Sequence, residues 1–141
     1  MKNKIIPYNH LSNQDFSFPK KEKLKGKKLV EQLFKEGKSL SGFPLRLFYL
    51  KIDSPADAKV KAGVAVPKKN FKSAVERNRI KRLLRESYRL NKHLVFNNSE
   101  GSFAFLILYL GKEMPDYHKV EKSMQIVLQK FLKKIDDAKV D

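Results

Sequence analysis

The chain has 141 residues, which is enough for one domain with a single hydrophobic core. Its 31 Lys and Arg against 15 Asp and Glu give a formal net charge of +16, a balance that favours nucleic acid or an anionic membrane as partner. The absence of cysteine excludes disulfide scaffolds and thiolate metal sites, and the longest apolar stretch, residues 103–110, is too short to span a bilayer. Since the N-terminus also lacks the apolar core of a signal peptide, we expect a cytoplasmic protein.

The N-terminal part of the chain predicts a tail, one helix and three strands. Residues 1–17 show no hydrophobic period and are expected to form a flexible tail. An amphipathic helix follows and ends before Gly37. Glycine is favoured at the position just after the end of a helix. Aromatic and β-branched residues then predict strands, separated by a Ser-Pro-Ala-Asp turn at 54–57. In order, these elements cover 27–36 (helix) and 38–40, 45–52 and 59–66 (strands).

A basic amphipathic helix is predicted from Ala74 to Leu90. Ser73 and Glu76 supply an S-x-x-E capping box where this helix begins. At 3.6 residues per turn, one face carries apolar residues and can pack on a core. The opposite face carries polar and basic residues, namely Asn78, Lys81, Arg82, Arg85 and Arg89, with Arg77 and Arg79 at its borders.

The positive charge of this segment indicates binding to a nucleic acid. From Lys68 to Arg89 there are nine basic residues and two glutamates, and five of the nine are Arg, whose planar fork suits phosphate oxygens. Solvated helix faces usually mix charges of both signs instead. A DNA recognition helix is the weaker alternative, because no partner helix and tight turn precede Ser73. A membrane-surface helix is weaker still, because the apolar face lacks Trp and Phe.

The C-terminal part predicts a polar loop, a strand and a last helix. Residues 97–101 are polar, and the continuous apolar run over 102–110 indicates a buried central strand. Pro115 and Asp116 open a helix whose apolar face holds Val120, Met124, Val127, Leu128, Phe131 and Ile135. The resulting order, α-β-β-β-α-β-α, predicts a small two-layer α+β sandwich with a mixed sheet. We expect one domain over 18–135, with tails over 1–17 and 136–141.

The sequence predicts no catalytic centre and no metal site in the protein itself. Its acidic residues are few and scattered, whereas a nuclease needs clustered carboxylates or a histidine acid and base. His10, His93 and His118 lie far apart, without the spacing of metal ligands. The six glycines fall singly, so no glycine-rich phosphate loop is present.

Two segments resemble a known family. The sequence AVERNRIKRLLRE, residues 74–86, resembles the Arg-Asn-Arg helix of the protein subunit of bacterial ribonuclease P. The preceding GVAVPKK, residues 63–69, is similar to that family's strand and Lys-Lys turn. The resemblance extends from about Phe18 to Ile135. It implies the same element order, with a left-handed β-α-β crossover around the basic helix, a hand that patterning cannot predict.

The resemblance also implies a function. Ribonuclease P removes the 5′ leader from precursor tRNA, and its RNA subunit performs the chemistry with Mg²⁺. The protein subunit is expected to bind the RNA subunit and the leader and to raise the apparent affinity for Mg²⁺, with no cofactor of its own and neither DNA nor membrane as partner. The alternative is a general or ribosome-associated basic RNA-binding protein without selectivity for the leader.

Site residues carried over from the family fall into two groups. The leader is expected in a cleft between the basic helix and the open face of the sheet. Phe48 and Tyr49 point to opposite faces of their strand, and the sequence leaves open which one faces this cleft. Residues expected to bind the leader are Phe18, Phe34, Phe48, Tyr49, Asn78 and Arg85. Residues expected to bind the RNA subunit are Lys68, Lys69, Arg77, Arg79, Lys81, Arg82 and Arg89.

Overall fold

A four-stranded mixed sheet forms the centre of the structure, a computed structural model that describes residues 17–53, 59–98 and 100–140. Its spatial order is β1-β2-β4-β3. The strands β1 and β2 pair antiparallel, as do β2 and β4, whereas β3 runs parallel to β4. Because β4 is covered on both faces, its sequence is almost entirely apolar, as predicted. The strands cover Lys38–Gly42 (β1), Leu45–Ile52 (β2), Val60–Ala65 (β3) and Ser102–Tyr109 (β4).

Among the described residues, four helices pack on this sheet and confirm the predicted α+β class and element order. They are α1 (Lys27–Glu36), α2 (Ala74–Asn91), α3 (His93–Phe96) and α4 (Tyr117–Val140), preceded by a 3₁₀ turn at Lys20–Glu22. The short helix α3 was not predicted, and α4 continues through most of the segment expected as a C-terminal tail. Most of the predicted N-terminal tail and the predicted turn at 54–57 lie outside the described residues. The left hand of the β3–α2–β4 crossover stays a prediction of the resemblance.

One face of the sheet, called the core face here, packs against α2 and α4. The ring of Phe131 on α4 lies at its centre, edge-on to the rings of Tyr49, Phe103 and Phe105 at centroid distances of 5.1, 4.9 and 4.8 Å. Such edge-to-face pairs add to the hydrophobic gain of burying the rings. The predicted apolar face of α2 joins the same cluster through Ile80, Leu84 and Tyr88, which are fully buried.

The other face of the sheet, called the open face here, is covered only in part. Leu33 of α1 is buried against Ala104 and Leu106 of β4, and this small cluster is separate from the main core. Side chains alternate along a strand. Arg46 and Phe48 of β2 therefore point to the open face, whereas Leu45, Leu47 and Tyr49 point to the core face. Both faces of the sheet are therefore apolar. Helices α2 and α4 cover the core face, and α1 covers part of the open face.

Candidate nucleic-acid interface

Helix α2 presents its basic face to solvent on a rigid base. Ser73 caps the helix, since its Oγ accepts a hydrogen bond from the backbone N–H of Glu76 at 3.3 Å, which confirms the predicted N-terminus. Asn78, Arg79 and Arg82 are exposed and line a shallow depression of about 470 Å³ together with Val75 and Glu76. Several guanidinium groups on one immobile helix form a surface that can hold phosphates without first losing backbone freedom.

Arg77 binds the protein's own backbone. Its Nη1 donates to the carbonyl oxygens of Phe71 and Lys72 at 2.7 and 2.9 Å. These bonds fasten the loop that leads from β3 to α2, on which Lys68 and Lys69 are exposed. Arg77 therefore has a structural role, which is to position the basic loop against the start of the helix. Its charge alone did not indicate this role.

The remaining predicted residues for the RNA subunit differ in their surroundings. Arg89 forms an ion pair with Glu86 one turn earlier on α2, and both side chains are partly exposed. Lys81 is half-buried. Among the residues predicted for the RNA subunit, the exposed ones are therefore Lys68, Lys69, Arg79 and Arg82, in the N-terminal half of α2 and the loop before it.

An aromatic pair lies on the open face. The rings of Phe34 on α1 and Phe48 on β2 meet edge-on at a centroid distance of 5.1 Å, and Phe34 is 52% exposed. The guanidinium of Arg46 lies 5.9 Å from the centroid of the Phe48 ring, and its Nη2 donates to Ser39 Oγ at 2.8 Å. These three side chains, Phe34, Phe48 and Arg46, are called the aromatic cluster. Sequence reasoning missed Arg46, although its place two residues before Phe48 on one strand put both on the same face.

The other predicted leader-binding aromatics lie elsewhere. Tyr49 points to the core face, where it packs against Phe131 and is 9% exposed, and this burial raises the pKa of its hydroxyl. Phe48 is therefore the residue that shares a face with Phe34. The ring of Phe18 lies 5.5 Å from that of Tyr88, also on the core-face side, with Lys23 Nζ 5.6 Å from its centroid.

The expected cleft between the basic helix and the open face stays a prediction. Among the described residues, the apolar side of α2 packs on the core face. Asn78 and Arg85 are exposed on α2, but α2 lies across the sheet from the aromatic cluster. The reason is that the apolar face of α2 is buried with the core face, whereas α1 packs on the open face. The structure thus divides the six predicted leader-binding residues between the two sides of the sheet.

A buried ion pair, which sequence reasoning missed, fastens the N-terminal segment to the end of α2. Lys92 Nζ lies 2.6 Å from Glu22 Oε1, and the two residues are 2% and 5% exposed. The same ammonium donates to the carbonyl oxygen of Ser17 and lies 5.3 Å from the centroid of the Phe96 ring. The pair holds the segment that carries Phe18 against the core. Since the partners are 70 residues apart, no local pattern points to their contact.

In the part of the chain that the structure describes, no three His, Asp or Glu side chains come together as ligands for a metal ion. None of the described helices combines the length and the apolar character needed to cross a membrane.

Comparisons with known proteins agree over most of the chain. The model of the family "Ribonuclease P" matches residues 18–132. The ribonuclease P protein component of Chlorobium phaeobacteroides is 45% identical over 121 residues, covering 77% of this chain and 83% of that protein. The protein of the same name from Porphyromonas gingivalis is 38% identical over 115 residues, covering 78% and 82%. The matched range includes both α2 and the aromatic cluster.

Solved structures show the same architecture. The ribonuclease P protein of Thermotoga maritima superposes with a TM-score of 0.63 at 25% identity, covering 77% of this chain and 96% of that one. The ribonuclease P protein of Staphylococcus aureus has a TM-score of 0.61 at 20% identity, covering 77% and 93%, and supports the fold alone.

Proposed function

The chain belongs to the ribonuclease P protein family, and on that premise we propose how its surfaces serve the removal of the 5′ leader from precursor tRNA. It is an RNA-binding component of this tRNA-processing endoribonuclease. The observation that carries the proposal is the capped helix α2, whose apolar side is fixed in the core while its arginine side faces solvent. A cytoplasmic location accompanies this role, because bacterial transcripts are processed where they are made.

Helix α2 and the loop before it contact the RNA subunit. Bringing a catalytic RNA and a precursor tRNA together is opposed by the repulsion between two polyanions, and a protein of net charge +16 between them offsets that repulsion. By offsetting this repulsion, the protein lowers the Mg²⁺ concentration that the RNA needs. The RNA subunit holds this Mg²⁺ and performs the chemistry, as the resemblance implies.

The aromatic cluster receives the 5′ leader, the segment that distinguishes precursor from mature tRNA. Unpaired bases stack on exposed aromatic rings, and Phe34 offers such a ring, with the half-buried ring of Phe48 edge-on beside it. Arg46 lies beside them, held by Ser39, with guanidinium donors for a backbone phosphate. Sequence-tolerant stacking suits leaders of differing sequence.

The function is tested by cleavage of a precursor tRNA with bacterial ribonuclease P RNA at low Mg²⁺, with and without this protein. We expect strong stimulation that falls when the leader is shortened to a single nucleotide. Tight binding to the RNA without stimulation would contradict the proposal and leave a general basic RNA-binding protein.

Replacing Phe34 by alanine should weaken binding of the precursor to the assembled enzyme about five- to hundredfold, because stacking of one base is worth roughly 1–3 kcal/mol. Binding of mature tRNA should not change. Phe34 is half exposed, so the variant is expected to fold, and a thermal melt by circular dichroism checks this.

Equal losses of affinity for precursor and mature tRNA would show that the leader does not bind at the open face. If Asn78→Ala or Arg85→Ala impairs precursor selectivity while Phe34→Ala does not, the leader lies along α2 and not at the aromatic cluster.

A further inference from the structure

The turn between β1 and β2 holds an exposed aromatic ring on a tightly fixed backbone. Phe43 is 75% exposed. Its carbonyl oxygen accepts a hydrogen bond from Ser123 Oγ of α4 at 3.4 Å, and Lys130 Nζ of α4 donates to the carbonyl oxygen of Ser41 at 2.7 Å. Because the turn is bound to α4 at two points, the exposure of this ring does not arise from a loose loop.

Gly42 shows how closely this turn approaches α4. A Cβ atom at this position would lie 2.7 Å from Val127 Cγ1 and 3.3 Å from Ile126 Cγ2, so any other residue would force the Val127 side chain to shift. The backbone of the turn at Gly42 therefore lies directly against α4. This contact fixes the position at which the next residue, Phe43, exposes its ring to solvent.

The exposed side of α4 beside the turn carries lysines around one apolar residue. Lys122, Ile126 and Lys130 follow at intervals of four, so they share one stripe of the helix, and Ile126 is 37% exposed. We call Phe43, Lys122, Ile126 and Lys130 the turn patch. Lys119 and Lys133 extend the stripe at either end.

The turn patch is separate from the basic face of α2. The flank of α4 that faces α2 is marked by Gln125, whose Nε2 donates to Asn91 Oδ1 at 3.1 Å. The opposite flank meets β1 through Gly42 and Lys130. On the α2-facing flank, Glu121 accepts from the hydroxyl of Tyr117 at 3.3 Å, so its carboxylate lies away from the patch.

We propose that the turn patch is a second surface for the RNA subunit, on which an unpaired base stacks against Phe43 while Lys122 and Lys130 meet the adjoining phosphates. An aromatic ring flanked by cations fits a nucleotide, and only an unstacked base offers a free face. A second copy of this chain fits poorly. Two molecules of net charge +16 repel, and the patch has four residues, whereas a stable interface takes roughly 20–30 residues per partner. This inference rests on the proposed function for the identity of the RNA.

The test measures binding of the full chain to bacterial ribonuclease P RNA by filter retention over a range of salt concentrations. Phe43→Leu should weaken binding about five- to hundredfold without changing the salt dependence, because it removes stacking and no charge. Phe43→Trp should restore the affinity. Lys122→Gln should lower the salt slope by about one, while Lys28→Gln, at an exposed lysine of α1, should leave it unchanged.

Wild-type affinity in Phe43→Leu would overturn the inference and leave the proposed function intact. A wild-type chain that does not bind the RNA would overturn both. Sedimentation is run in parallel, and self-association of the wild type that Phe43→Leu abolishes would make the patch a contact between copies of the chain, which also overturns the inference.

Discussion

Replacing Lys92 by methionine should lower the free energy of unfolding by about 3–5 kcal/mol, because it leaves the carboxylate of Glu22 buried without a cation. The same change removes the donor to the carbonyl oxygen of Ser17. Methionine matches the lysine side chain except for its terminal ammonium, so the decrease mainly reports the loss of the charge and its hydrogen bonds. Urea unfolding followed by circular dichroism measures it.

The double variant Glu22→Leu/Lys92→Met is the control. Removing both charges restores a consistent apolar site, so most of the stability should return. Lys21→Met, at an exposed neighbour of Glu22, should change stability by less than about 0.5 kcal/mol. A decrease below about 1 kcal/mol in Lys92→Met would show that the segment around Glu22 lifts from the core and rehydrates the carboxylate.

Removing Arg79 and Arg82 together, as the double alanine variant, should weaken binding to ribonuclease P RNA by roughly a hundredfold or more. Both guanidinium groups are exposed on the rigid face of α2, and a hydrogen bond to a charged group contributes roughly 1.5–3 kcal/mol. The slope of affinity against salt should fall by about two, one for each phosphate that is no longer bound. Filter retention over a range of salt concentrations measures both quantities.

The double lysine variant separates charge from geometry. Lysine keeps the positive charge but not the planar fork, so the salt slope should stay while the affinity falls in part. An unchanged slope in the double alanine variant would place both side chains in solvent in the complex. Arg77 is unsuitable for this comparison, because its bonds to Phe71 and Lys72 fix the loop itself.

The elements were predictable because each has a strong local signal. The helix over 27–36 was predicted at its observed bounds, and Ser73 caps α2 as the S-x-x-E pattern predicted. The strands were located within a few residues by their apolar and aromatic runs. The short helix α3 was missed because one turn of helix has no measurable hydrophobic period.

The arrangement of the site was less predictable, because it depends on contacts between distant segments. Alternation put Phe48 and Tyr49 on opposite faces, but the ring of Phe131 decides which face belongs to Tyr49. Both faces of the sheet are apolar, so nothing in the pattern of α2 tells which of them it covers. The ion pair of Glu22 and Lys92 likewise cannot be predicted from a local sequence pattern, because its partners are 70 residues apart.

The position of the sheet between α2 and the aromatic cluster has a consequence for assembly. The two surfaces share no side chain and are separated by a layer of backbone, so an RNA on one side does not obstruct an RNA on the other. If both surfaces bind RNA as proposed, either segment can therefore arrive first. The protein then holds the leader and the RNA on α2 on opposite sides of its sheet, while the rest of the precursor contacts the catalytic RNA directly.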